Sequence, residues 1–193
     1  MKEKIYPVDL VSGQLIRRSD GEEKVELHGR FEVECVDKDG NVKWRDTIEN
    51  VVCTLGKNVA LDAFLAGAAY TVTGPFMGLI SSVGWSAVAA ADTMASHAGW
   101  TEAGGSNAPT YTAPRKTAAW SAAAAGAKAL SAVLSFVFTG GGTVKGCFLV
   151  YGTGAVNTID STAGVLYSAG VFTGGDKVVV STDTLNVSYT ASL

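Results

Sequence analysis

The segment AAADTMASHAGWTE, residues 89–102, brings an aspartate, a glutamate and one of the chain's two histidines into a short window. Carboxylates and imidazole transfer protons and bind metals, so Asp92, His97 and Glu102 are the first candidates for chemistry. They stand five residues apart, a spacing that matches neither one face of a helix nor one face of a strand. A zinc centre needs three or four ligands, and neither a cysteine nor the second histidine, His28, is near in sequence. H-E-x-x-H and the EF-hand loop are both absent. Ser96 beside His97 does not make a hydrolase, because a base meets its nucleophile through space and the chain has no G-x-S-x-G elbow. The window reads better as framework: Asp92 and Ser96 form turns or caps, Met94 and Trp100 fill a core edge, and Gly99 allows a reversal. The expected form is a fixed loop with one helical turn, and no catalytic residue, metal or cofactor is assigned.

The other motifs weaken in the same way. TGGG at 139–142 lacks the Lys-Ser/Thr ending of a phosphate-binding loop and joins two β-prone runs, so it is expected to be a hairpin turn. Cys35, Cys53 and Cys147 are far apart with no C-x-x-C pair and read as small buried apolar residues. Trp44, Trp100 and Trp120 read as partly buried structure, whereas Trp85 in the Gly/Ser-rich SSVGWSA is expected to be exposed enough to anchor a partner.

The elements that must position these residues are mostly strands. RFEVECV and NVKWRDTI alternate apolar and polar residues and are joined by DKDG, whose Asp-Gly supplies the positive φ of a tight hairpin. Thr54 is placed to cap LGKNVALDAFLAG, in which Leu55, Val59, Phe64 and Leu65 approach helical spacing before Gly67, giving one helix over about 55–66. PFMGLI, ALSAVLSFVF, TVKGCFLVY, GVLYSAGVF, DKVVVS and TLNVSYTASL follow as short β-prone runs between glycine-rich turns. In the last of them Leu185, Val187 and Tyr189 alternate with Asn186, Ser188 and Thr190, as in a half-buried antiparallel strand. The sum is a mainly β chain: an antiparallel β-sandwich or jelly-roll-like domain with one short α-helix at residues 29–193, behind an extended N-terminal arm at 1–28.

Charge is uneven. Residues 1–60 hold ten Lys/Arg and twelve Asp/Glu, leaving five and six for the remaining 133 positions. A body so poor in charge and rich in Ala, Gly, Ser and Thr fits either a Ser/Thr-coated β-domain or a surface that faces other protein. The net charge of −3 gives no electrostatic footprint for nucleic acid or an anionic membrane. The run at 118–138, the most apolar in the chain, carries Lys128 among alanines, a glycine and serines and is a poor membrane span. The N-terminus is broken by Pro7, Asp9, Gly13 and two arginines and is not expected to act as a signal peptide.

Taken in order, FEVECVDKDGNVKWRDTIENVVCTLGKNVALDAFLAG, GPFMGLI, AAADTMASHAGWTEAGGSN, KGCFLVYG and VFTGGDKVVVSTDTLNVSYT resemble a family of structural proteins of tailed bacteriophages. The resemblance spans about residues 30–193, and ADTMASHAGWTE and FTGGDKVVVSTDTLNVSYT are its most specific blocks. It implies a virion component, either a capsid decoration (cement) protein on the outer surface of the head or a tail, baseplate or fibre-associated protein. The implied partners are the major capsid protein and sister copies, with a homotrimer expected. The arm lies outside the resemblance; its apolar residues Ile5, Tyr6, Val8, Leu10, Leu15 and Ile16, with Trp85, are the residues expected to bind partners.

Overall fold

The computed structural model describes residues 26–65 and 73–192. Eleven strands and one helix are seen among them: β1 (His28–Val36), β2 (Val42–Glu49), β3 (Val51–Val52), α1 (Thr54–Leu65), β4 (Phe76–Ser81), β5 (Lys116–Thr117), β6 (Ala127–Ala129), β7 (Leu134–Val137), β8 (Gly142–Tyr151), β9 (Val165–Val171), β10 (Lys177–Val179) and β11 (Thr184–Ser192). They form two antiparallel sheets. The first runs β2-β1-β11-β6, with β7 also on β11, and the second runs β3-β9-β8-β4-β5, with β10 also on β8. The chain is thus mainly β, with a sandwich-like pair of sheets and a single short helix.

The hairpin β1–β2 forms as its sequence predicts. Asp37 accepts from the backbone N–H of Asp39 at 2.9 Å and of Asn41 at 2.8 Å, and Gly40 takes φ of 84°, which an L side chain rarely adopts. Period-two patterning decides the inner face: Phe31, Val33 and Cys35 of β1 and Leu185, Val187 and Tyr189 of β11 are buried in register. They meet Met77, Leu79, Cys147 and Leu149 of the second sheet in one apolar core. All three cysteines are free and buried, as read from the sequence, and burial pushes the Cys35 and Cys53 thiols up to about 11.

The second sheet is buried on both faces. Cys147 and Leu149 point to the first sheet, while Phe148 and Val150 point the other way, into a second core with Ile80, Cys53, Leu166, Met94 and Trp100. Nearly continuous apolar runs such as KGCFLVY are what a strand covered on both sides requires. The cover is the irregular chain between β4 and β5, which includes the 89–102 window.

Two local expectations are corrected. Thr54 does not cap α1: its hydroxyl donates to Ala90 O at 3.2 Å, and the first helical bond runs from Lys57 N to Cys53 O at 3.0 Å, so Cys53 occupies the cap position. Of the anticipated apolar stripe, Leu55 is exposed and Val59 half-buried, while the side chains of Phe64 and Leu65 lie outside the described residues. The 139–142 segment is not a hairpin turn, because β7 pairs with β11 in the first sheet and β8 lies in the second, so TGGG carries the chain from one sheet to the other. The apolar run at 118–138 contributes β6 and β7, and no helix among the described residues is long and apolar enough to cross a membrane.

Candidate functional site

The 89–102 window folds as tight turns without a helical turn, correcting that part of the expectation. Thr93 and Ser96 exchange backbone bonds at 2.9 and 3.2 Å, closing a two-residue reversal that drops Met94 into the second core. Asp92 then accepts from Ala89 N at 2.9 Å and from the Trp100 indole N–H at 3.0 Å. An indole buried to 1% exposure needs a partner for its N–H, and Asp92 supplies it. His97 stacks on Trp100 with ring centroids 3.9 Å apart, its Nδ1 2.9 Å from Trp100 O.

Beyond Trp100 the chain runs along β4: Ser81 N donates to Thr101 O and Ala103 N to Leu79 O, each at 2.9 Å. This register places Glu102 over the outer face of the second sheet. There it meets Arg115, held just before β5 by its own N–H on Asn157 O at 2.8 Å. The pair is bidentate, Nε to Oε1 at 2.8 Å and Nη2 to Oε2 at 2.6 Å, and Asp160 N donates to Oε2 at 2.8 Å. Arg115 also donates to Val156 O at 3.2 Å and Ser161 O at 2.7 Å. Its guanidinium lies 5.4 Å from the centroid of Phe148, which itself fits only because residue 78 is glycine: a Cβ there would stand 2.3 Å from the ring.

Both members of this pair are buried, Arg115 at 1% and Glu102 at 5% exposure. Burial is the largest influence on the Glu102 carboxyl and raises it above its ordinary range, against the pull of Arg115 and the Asp160 N–H. Asp160, at φ of 64°, accepts from Ser106 N at 2.8 Å and Ser106 Oγ at 2.9 Å. The network therefore joins the 100–115 segment to the 156–161 loop.

The structure thus separates the three residues that the sequence grouped: Asp92 serves an indole, His97 serves a backbone carbonyl and a ring, and Glu102 serves a guanidinium. No group of three or more His, Cys, Asp or Glu able to hold a metal is found among the described residues. Arg115 was missed by sequence reasoning, although it is the only arginine after Arg45 in a charge-poor body, a signal that a buried acid partner was to be sought. Trp85 is half-buried: it packs against the second core with part of its surface exposed, and Lys145 Nζ lies 5.1 Å from its ring centroid. Ile5, Tyr6, Val8, Leu10, Leu15 and Ile16 lie outside the described residues.

On the opposite side, the outer face of the first sheet carries a shallow open groove of about 740 Å³ lined by Glu32, Glu34, Arg45, Ser135 and Asn186, among others. Its polar groups pair across strands: Arg45 with Glu34, and Ser135 Oγ with Asn186 Oδ1 at 2.7 Å. No histidine or cysteine lines it. The fold and network define a two-sheet antiparallel β protein with a stapled loop layer. No protein-family model, curated protein or solved structure matches the chain.

Proposed function

We propose that this chain is a structural virion protein of a tailed bacteriophage, a capsid decoration (cement) protein that binds the outer surface of the head and stabilises its lattice. The observation that carries the reading lies in the 89–102 window, which holds one of the two most specific blocks of the resemblance and where each residue suited to chemistry is engaged in holding a loop layer on a sheet. In this reading the protein performs no reaction and needs no cofactor. Its partners are the major capsid protein and sister copies in a homotrimer, with no role for nucleic acid or membrane.

The physics of such a role is multivalency. Once one contact of a lattice-bound copy forms, the next is effectively intramolecular, so several modest contacts give a strong clamp. Residues 1–28 supply apolar anchors, Ile5, Tyr6, Val8, Leu10, Leu15 and Ile16, for a second attachment point, and Trp85 adds a contact from the body. The charge-poor body suits close packing of identical copies about a symmetry axis.

Quantitative mass spectrometry of purified virions tests the assignment. Hundreds of copies per particle are expected of a cement protein, whereas a few, or a few tens, would assign the chain to the tail, baseplate or fibre instead. Light scattering on the purified protein is expected to give three times the chain mass, and a monomer at high concentration would remove the trimer.

A further inference from the structure

Helix α1 lays its small residues on the body and turns larger ones away. It packs on β9, where Gly56 is buried so closely that a Cβ would stand 2.6 Å from Tyr167 O, and Val59 and Ala60 are half-buried beside it. Leu61 is 56% exposed, and Lys57, Asn58 and Asp62 around it are exposed too. A surface helix with one buried face ordinarily does the reverse and buries its long apolar side chains. A leucine at the centre of the outward face, flanked by opposite charges, fits a helix that meets another helix.

The charges and their spacing say which helix. Asn58 and Leu61 fall at the a and d positions of a heptad, the line along which parallel helices pack about a common axis. In that frame Lys57 takes g and Asp62 takes e, the two positions that face each other across neighbouring parallel helices, and here they carry opposite signs. The helix is therefore complementary to a copy of itself. Gly56, Val59 and Ala60 take f, b and c, the positions away from the axis, so each body lies on the outside of the cluster. Parallel order sets Leu61 against Leu61 and lets the Asn58 amides, each both donor and acceptor, bond to one another, a device that fixes register and copy number. Antiparallel order with the same charge pairing would set Leu61 against Asn58. Twelve residues are too few to associate alone, so α1 fixes the axis while the charge-poor body adds contact around it.

We infer that α1 lines the rotation axis of an assembly of three copies of this chain, the helices parallel, with Leu61 at the centre and Lys57 of each copy against Asp62 of the next. The inference rests on the homotrimer of the proposed function and not on the capsid assignment, which copy number in virions tests separately.

Sedimentation velocity on the full chain across a concentration series tests the axis. The intact protein is expected to sediment as a trimer, and Leu61→Asp to shift the midpoint of assembly roughly tenfold or more toward high concentration. Val133→Asp, at a side chain 57% exposed beside the groove of the first sheet, is matched for exposure and is expected to leave the trimer intact. Lys57→Asp sets like charges together and should weaken assembly, and adding Asp62→Lys restores opposite charges and with them the trimer. The three natural cysteines are buried, so Leu61→Cys under mild oxidation is expected to join two chains within a particle of trimer mass. Should Leu61→Asp fail to fold, the charge exchange and the crosslink decide alone. A trimer untouched by Leu61→Asp would keep the trimer and overturn its axis, and an intact chain that stays monomeric or dimeric would overturn both. A charge exchange that fails to restore assembly, or a Leu61→Cys chain that does not crosslink, would overturn the parallel arrangement.

Discussion

Arg115 and Glu102 are each bonded at several atoms and shut away from water, so removing one leaves the other's charge with no solvent to replace it. Arg115→Ala is expected to destabilise the fold by about 3–5 kcal/mol in urea titration, whereas Arg115→Met with Glu102→Met, which removes both charges, should recover most of that loss. A double variant as unstable as the single one would mean that the staple matters for its geometry and not for charge compensation. Asp46 gives a different kind of prediction. Burial, the largest single influence, pushes its carboxyl up, but the bonds from Lys177 at 2.6 Å, Thr173 Oγ1 at 2.8 Å and Thr47 N at 2.7 Å together outweigh it and hold the carboxyl below its ordinary range. Gly174 N also donates to both oxygens, at 3.0 and 3.2 Å. A group whose folded pKa is depressed contributes stability that is present above its unfolded pKa, roughly 3.9, and lost as pH falls through the folded value. Asp46→Asn should therefore lower stability at pH 7 and flatten its decline below about pH 4, as read from melting temperature against pH. Glu102 has the opposite sign, its raised carboxyl favouring the fold more as pH falls, so acid sensitivity belongs to Asp46 and its kind.

At the scale of elements, the 89–102 segment behaves as a third layer whose keystone is Trp100. Its ring is packed between His97 and Phe148, with centroids 3.9 and 5.2 Å away, and its N–H is taken by Asp92. Trp100→Ala should cost about 3–5 kcal/mol, with amide exchange rising first in the loop and in α1, whose Thr54 N bonds to Ala90 O, while β1 and β11 stay protected. Uniform loss of protection across both sheets would show that the two cores unfold as one. The strands and the first hairpin were legible because their determinants are local: a period-two alternation through Phe31, Val33 and Cys35, and an Asp-Lys-Asp-Gly turn whose side chain bonds its own backbone. What stayed hidden was set by distant partners. TGGG looks like a hairpin turn until β11, more than forty residues later, claims β7 for the other sheet. Thr54 looks like a cap until Ala90 takes its hydroxyl, and the partners of Glu102, Arg115 and Asp160, arrive from two other loops that its local sequence does not announce. The need for glycine in PFMGLI is invisible locally, because the Phe148 ring that occupies the space beside Gly78 is seventy residues away.

For the whole molecule, the uneven charge of the sequence becomes a division of labour in the proposed role. Among the described residues, both apolar cores and both sheets are assembled from residues at or after His28, and the buried ion pair joins Glu102 to Arg115 within the body. In the proposed role residues 1–25 serve the clamp and not the body, so a chain beginning at Glu26 is expected to fold with the same β content and a melting temperature within a few degrees of the intact protein. Its grip on a capsid should fall much further than its stability. Losing one of two linked attachment points removes the effective-concentration gain, which is worth roughly a hundredfold or more in apparent affinity even when the remaining contact is untouched. Binding of the two chains to heads lacking the protein, measured by cosedimentation across a concentration series, compares these quantities directly. Saturation of the heads by the shortened chain at the same concentration as the intact one would move the clamp from the arm to the sandwich surface. A shortened chain that failed to fold would show that the arm belongs to the body's own core.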